Sequence, residues 1–253
     1  MSAAASPFIL FAQARSGSSN LLRALWLHPD VRAADEPFHA KHHVYYPGEP
    51  QYISRIRDVP SLEQQLTELF AKYNGFKTLD YQLPTDIYAH LLLKPDLRVI
   101  DLRRRNLLQR VVSGFIAEQT GIWQSNVPKD QRVIAYKTLQ PIEIRALKKR
   151  MRHEDQRRQY YQRVLSKKPS SLCLHVEYES LYTTELEQNR QAMRAVFAFL
   201  GLSLPDSPKL DALLNPGVAK INSADMYAFL PNAEEIDRKL GSDRTGWLLK
   251  KTP

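Results

Sequence analysis

The sequence predicts an α/β fold, a central parallel sheet with helices on both faces, and three observations predict it. Phe8–Ala12 is a short, continuous apolar run, the pattern of a strand buried on both faces, and Gly75–Leu79, Leu97–Leu102 and Leu172–Val176 read as three further strands. Helical spacing follows some of them. Leu107, Leu108, Val111, Val112, Phe115 and Ile116 fall on one face over 106–120, and a further helix over 186–200 ends at Gly201. Strands that alternate with helices build βαβ units and hence a parallel sheet. The 253 residues, 43% of them hydrophobic, suit a single domain over 1–253.

Each element has a local reason. Phe8–Ala12 runs into Gln13-Ala-Arg-Ser-Gly-Ser-Ser19 and then Leu21, Leu22, Leu25 and Trp26, which reads as strand, tight loop and helix. Tyr46–Pro60 holds three prolines and a glycine and reads as a surface connection. Residues 141–165 form a long, highly charged helix. Its basic run Arg145–Arg152, with Arg157 and Arg158, reads as a solvated face. From Pro205 onward no strong period remains, so 205–253 is expected to be a C-terminal lid segment.

The net charge of +9 favours anionic partners: nucleic acid, a membrane surface or a polyanionic small molecule. No helix-turn-helix, zinc-knuckle or RNP-like pattern is present, which argues against nucleic acid. Cys173 is the only cysteine, so no intrachain disulfide forms. The N-terminus lacks the charged region and long apolar run of a secretory signal, and a cytoplasmic location is expected. A homo-oligomer and a peripheral membrane contact stay open.

Two segments suit anions. Arg15-Ser16-Gly17-Ser18-Ser19-Asn20 lies between a strand and a helix start, where backbone N–H groups and the helix dipole converge. Gly17 permits close backbone approach, Ser18 and Ser19 donate hydroxyls, and Arg15 adds a planar cation. The lysine of a Walker A loop is missing, which argues against a γ-phosphate and its metal ion. The third strand then delivers Arg103-Arg104-Arg105 to the same sheet edge. Cations at a helix start oppose the dipole, so an anion is expected between them and the helix.

These motifs resemble the PAPS-dependent sulfotransferases, where PAPS is 3′-phosphoadenosine-5′-phosphosulfate. The Arg15–Ser19 loop is similar to their 5′-phosphosulfate loop. Arg105, followed eight positions later by Ser113, is similar to their 3′-phosphate motif. Val176-Glu-Tyr-Glu-Ser-Leu181 and Phe199-Leu-Gly-Leu202 resemble the segments around a late helix of that family. Leu102–Trp123 resembles the bacterial carbohydrate branch, the trehalose and Nod-factor enzymes. Two departures stand out: Asn20 replaces the usual aromatic or leucine, and no C-terminal glycine-rich segment is evident, with Gly241–Trp247 its only counterpart.

The resemblance implies a P-loop NTPase-like sheet and a cytosolic enzyme that moves the sulfuryl group of PAPS to a hydroxyl of a carbohydrate or glycolipid, without a metal. It implies that Arg15, Ser16, Gly17, Ser18, Ser19, Asn20, Arg105 and Ser113 hold the cofactor and that Arg15 takes part in catalysis. The alternatives are a P-loop-like nucleotide kinase or phosphotransferase, and a non-catalytic anion- or nucleic-acid-binding protein. For the base, Asp35-Glu36-Pro37-Phe38-His39 follows the first helix and returns to the ligand edge. Glu36 resembles the base of the trehalose enzyme, His39, His42 and His43 are rivals, and Lys77 and Glu118 come next. The histidines lack companions at metal-ligand spacing. Acceptor contacts are expected in 36–60, 120–135 and 215–240, with Tyr45, Tyr46, Tyr52, Trp123 and Tyr227 as rings for sugar faces.

Overall fold

The computed structural model describes residues 6–123, 127–215 and 224–249. Five strands form one parallel sheet: β1 (Phe8–Ala12), β2 (Ala33–Asp35), β3 (Gly75–Leu79), β4 (Arg98–Arg103) and β5 (Cys173–Glu177), in the order β2-β3-β1-β4-β5. The α/β expectation holds. β1 and β3 coincide with their expected spans, and β4 and β5 begin one residue later than expected. The strand that pattern did not reveal is β2, three residues long, with the acid Asp35 as its last residue and Glu36 directly after it.

Alternate residues along each strand go to opposite faces. Phe8, Leu10 and Ala12 of β1 join Ile100 and Leu102 of β4 in one core, under α1 (Ser18–Leu25) and the helices Leu186–Phe199 and Pro208–Leu214. Ile9, Phe11, Phe76 and Val99 face the other way, under Val59–Lys72, Thr85–Leu93 and the end of the long helix Ile144–Leu165. With both faces covered, a continuous apolar run is what a central strand requires. Each such side chain, taken fully out of water, contributes about 1.5–3 kcal/mol.

A third cluster surrounds the helix Leu107–Thr120. Into it pack Tyr136, Leu147 and Met151, together with Tyr227, Ile236 and Leu248 from the tail. The tail therefore does more than drape over a cleft. Leu108 N–H donates to Thr245 O at 2.9 Å and Asn106 Nδ2 to Trp247 O at 2.8 Å. Gly246 has φ +82°, and a Cβ there would stand 2.4 Å from Asn106, so only glycine lets this segment close on the helix start.

Candidate active site

The carboxyl ends of β1, β2 and β3 meet at a cavity of about 390 Å³, lined among others by Arg15, Ser18, Ser19, Asp35, Glu36 and His39. The loop after β1 and the segment after β2, remote in the sequence, share this wall. Both carry a non-glycine residue in the left-handed region, Arg15 at φ 65° and Glu36 at φ 52°. Such geometry costs on the order of 1–3 kcal/mol and persists where surrounding contacts hold it.

At Arg15 those contacts are visible. Arg104, nearly buried, donates to the Arg15 carbonyl at 3.2 Å and lies over the Tyr178 ring at 4.7 Å. Arg15 Nε donates to Ser113 Oγ at 3.0 Å, and its Nη1 bonds the Trp123 carbonyl. Desolvation lowers the Arg15 pKa from its ordinary value. An arginine stays charged regardless, so the loop presents a cation with part of its water removed, the setting in which an anion is attracted most strongly.

Two residues on, Gly17 has φ +86° and caps the start of α1, and a Cβ on it would lie 2.7 Å from the Tyr178 ring. The first-turn N–H groups of Ser18 and Ser19 precede any intrahelical partner. Ser16 takes a different part from its neighbours. It is fully buried and donates to the Gln13 carbonyl at 2.6 Å, so its hydroxyl shapes the turn. Asn20 is also buried, one turn into the helix.

The other half of the site centres on Lys77, 1% exposed in β3. Register puts it beside Asp35. Its Nζ lies 2.6 Å from Asp35 Oδ1, an ion contact outside hydrogen-bonding angles, and 2.9 Å from Glu36 Oε1. It also donates to Ser19 Oγ at 3.0 Å. Gln82 Nε2 donates to Glu36 Oε2 at 2.7 Å, and Tyr46 Oη donates to Asp35 Oδ2 at 2.9 Å. Burial, with Asp35 adding to it, raises the Tyr46 pKa well above its ordinary value, so the phenol stays a donor. Gln82 was not singled out by the sequence, Asp35 was named only as the neighbour of Glu36, and Tyr46 was expected as an acceptor ring, whereas here it donates to Asp35. The one available signal was a lysine inside an apolar strand, which demands acids nearby.

Of the rival bases, His39 lines the cavity and its Nδ1 accepts from Lys41 N–H at 3.1 Å. His42 is buried against the rings of Tyr46 and Tyr52, and burial lowers its pKa. His43 is exposed and is not among the lining residues, while Glu118 pairs with Arg150 at 2.6 Å. Among the described residues no cluster of three or more His, Cys, Asp or Glu is arranged to hold a metal ion.

The arginine run divides. Arg103 pairs with Asp101. Arg104 braces the loop. Arg105, 59% exposed in its side chain, lies 3.1 Å from Glu177. The anion expected at the helix start is the protein's own: the Glu179 carboxylate accepts from the N–H groups of Arg105 and Asn106, both at 3.1 Å. The three arginine side chains therefore take separate partners. Ser113 accepts from Arg15.

Two expected acceptor rings drop out as well. Tyr52 and Tyr227 are each 1% exposed and belong to the cores. Tyr45 and Trp123 are exposed at the cavity, and Tyr81, overlooked in the sequence, joins them. No described residue from 205 onward lines this cavity.

No protein-family model matches the chain, and no curated protein matches its sequence. Among solved structures, a sulfotransferase from Alicyclobacillus acidocaldarius superposes on 95% of this chain and 98% of its own, with a TM-score of 0.50 and 16% identical residues. At that identity the likeness is one of fold. The chain has the fold of a sulfotransferase over nearly its whole length. No described helix is long and apolar enough to cross a membrane.

Proposed function

We propose that this chain is a PAPS-dependent sulfotransferase whose acceptor is a hydroxyl of a carbohydrate or glycolipid. One observation carries the reading. Lys77 touches both Ser19 of the anion loop and the Glu36 carboxylate, and so joins the donor side of the cavity to its base.

Bound PAPS supplies an activated sulfuryl group, and positioning with charge stabilisation is what remains for the protein to provide. The Arg15–Ser19 loop fits the donor's anionic end through its desolvated guanidinium, its hydroxyls and its helix-start N–H groups. Arg105 is the residue for the 3′-phosphate, which would take the guanidinium from the exposed Glu177. When the acceptor oxygen bonds to sulfur, its proton passes to Glu36. Asp35 then keeps Lys77 paired, so the transfer leaves no lone buried ammonium. Lys77, already against Ser19, is the cation for charge that builds on the departing phosphate oxygen. His39 is the alternative base within the cavity. The exposed rings of Tyr45, Tyr81 and Trp123 suit a sugar face.

The test is transfer of labelled sulfate from PAPS to saccharides, glycolipids, phenols and peptides, with no divalent metal added. Adenosine 3′,5′-bisphosphate should raise the melting temperature under the same conditions, because a ligand of the native state stabilises it. Stabilisation by Mg-ATP and none by the bisphosphate overturns the reading in favour of a phosphotransferase.

A further inference from the structure

Beside the cavity that holds Glu36 runs a second, larger depression of about 930 Å³. Ala14, Tyr81 and Trp123 line both, so the two form one continuous space with the two rings at the join. Each ring is 50% exposed. The opposite wall is the helix Ile144–Leu165, through Lys149, Arg152, His153 and Gln156. These positions recur at three- and four-residue spacing and therefore share one face.

The charges on this wall do not balance locally. Every carboxylate there already has a cation. Glu118 pairs with Arg150. Glu154 pairs with Arg150 and with buried Arg110. Asp80 pairs with Arg157 at 3.5 Å and accepts from Gln13 at 3.2 Å. Among the described residues Lys149 and Arg152 have no carboxylate partner, and both are exposed. A solvated helix face has no need of a concave wall, two half-exposed aromatic rings or an opening onto a base. This face has all three.

We propose that this groove is the acceptor subsite and that the acceptor is an anionic ring compound, such as a sugar acid or a sugar phosphate. Lys149 and Arg152 hold its anionic group, its ring lies against Tyr81 and Trp123, and its hydroxyl enters the neighbouring cavity toward Glu36. The proposal rests on the sulfotransferase reading for the fate of that hydroxyl. The charge preference itself follows from the groove alone.

The test uses two matched pairs: 4-nitrophenyl β-D-glucuronide against the β-D-glucoside, and glucose 6-phosphate against glucose. Binding is measured by calorimetry at low salt to the full chain, with and without saturating adenosine 3′,5′-bisphosphate. In at least one pair the charged member should bind about tenfold or more tightly than the neutral one, as a charge-assisted contact gives. The difference should shrink as salt rises. The double substitution Lys149→Glu/Arg152→Glu should abolish the preference, and Lys149→Gln/Arg152→Gln should level the pair without repulsion. Neither should alter the melting temperature or bisphosphate affinity, since both side chains are exposed and have no carboxylate partner among the described residues. No preference in either pair, a preference that survives charge reversal, or a single-stranded oligonucleotide that binds more tightly than either charged sugar overturns the proposal. If the bisphosphate fails to bind while the charge preference holds, the donor reading falls and the groove stands.

Discussion

Lys77 and the Arg103–Arg105 run sit on the same edge of the sheet and treat charge in opposite ways. Lys77 is alone in its strand, yet it gathers Asp35, Glu36 and Ser19 within 3.0 Å. Three consecutive arginines instead scatter to Asp101, to the Arg15 carbonyl and to Glu177. Successive strand residues point to opposite faces, and the strand end turns the chain again. Adjacency in the sequence therefore separates cationic heads, while parallel register draws together groups forty residues apart. Buried charge has to be matched on the spot, whereas exposed charge is free to pair loosely.

The largest effect should come from breaking the buried side. Lys77→Met strands two carboxylates and should lower stability by about 3–5 kcal/mol, read from urea unfolding. Adding Asp35→Asn and Glu36→Gln in the same chain should recover much of that loss. If Lys77→Met alone is neutral, the contrast between the two regions collapses.

Glu36→Gln comes next, because it leaves the size and the bond to Gln82 while it removes the proton acceptor. Turnover should fall by about 10²–10⁴-fold, with bisphosphate affinity near that of the unaltered chain. His39→Ala, measured in parallel, sharpens the assignment: loss with His39→Ala and none with Glu36→Gln moves the base to the histidine.

On the exposed side Arg105→Ala should change stability by no more than about 1 kcal/mol, as for other surface pairs. Affinity for the bisphosphate should drop about ten- to a hundredfold. Affinity for adenosine 5′-phosphosulfate, which lacks the 3′-phosphate, should hold. Equal weakening of both ligands would assign Arg105 to the bond network with Glu177 and Glu179 alone.

The smallest effect is one of pH. Burial lowers the His42 pKa below its ordinary 6.5, so the unfolded chain takes up the proton first. Stability from this group is present above about pH 6.5 and is lost as the pH falls from there through the folded-state value. His42→Phe should flatten that part of the curve, measured as urea midpoints at several pH values. An unchanged slope would mean that the imidazole takes up its proton equally well in the folded state, against its packing between Tyr46 and Tyr52.

Much of the molecule was legible in the residues alone. The spans of β1 and β3 were placed to the residue, β1 because a strand covered on both faces reads as a continuous apolar run. The 107–120 helix showed in its period, and the loop around Gly17 showed in its composition. Glu36 was recognisable as an acid after the first helix and by its resemblance to the base of the trehalose enzyme. What the tertiary structure alone decided is who meets whom. It paired Arg15 with Ser113, gave the helix start at Asn106 to Glu179, buried Tyr52 and Tyr227, and turned a basic helix face into a groove wall. Strand identity depends on local burial, which a short stretch of sequence records. Pairing depends on the order and register of strands and on how helices pack across them. Those contacts join residues tens of positions apart, and no local pattern encodes them.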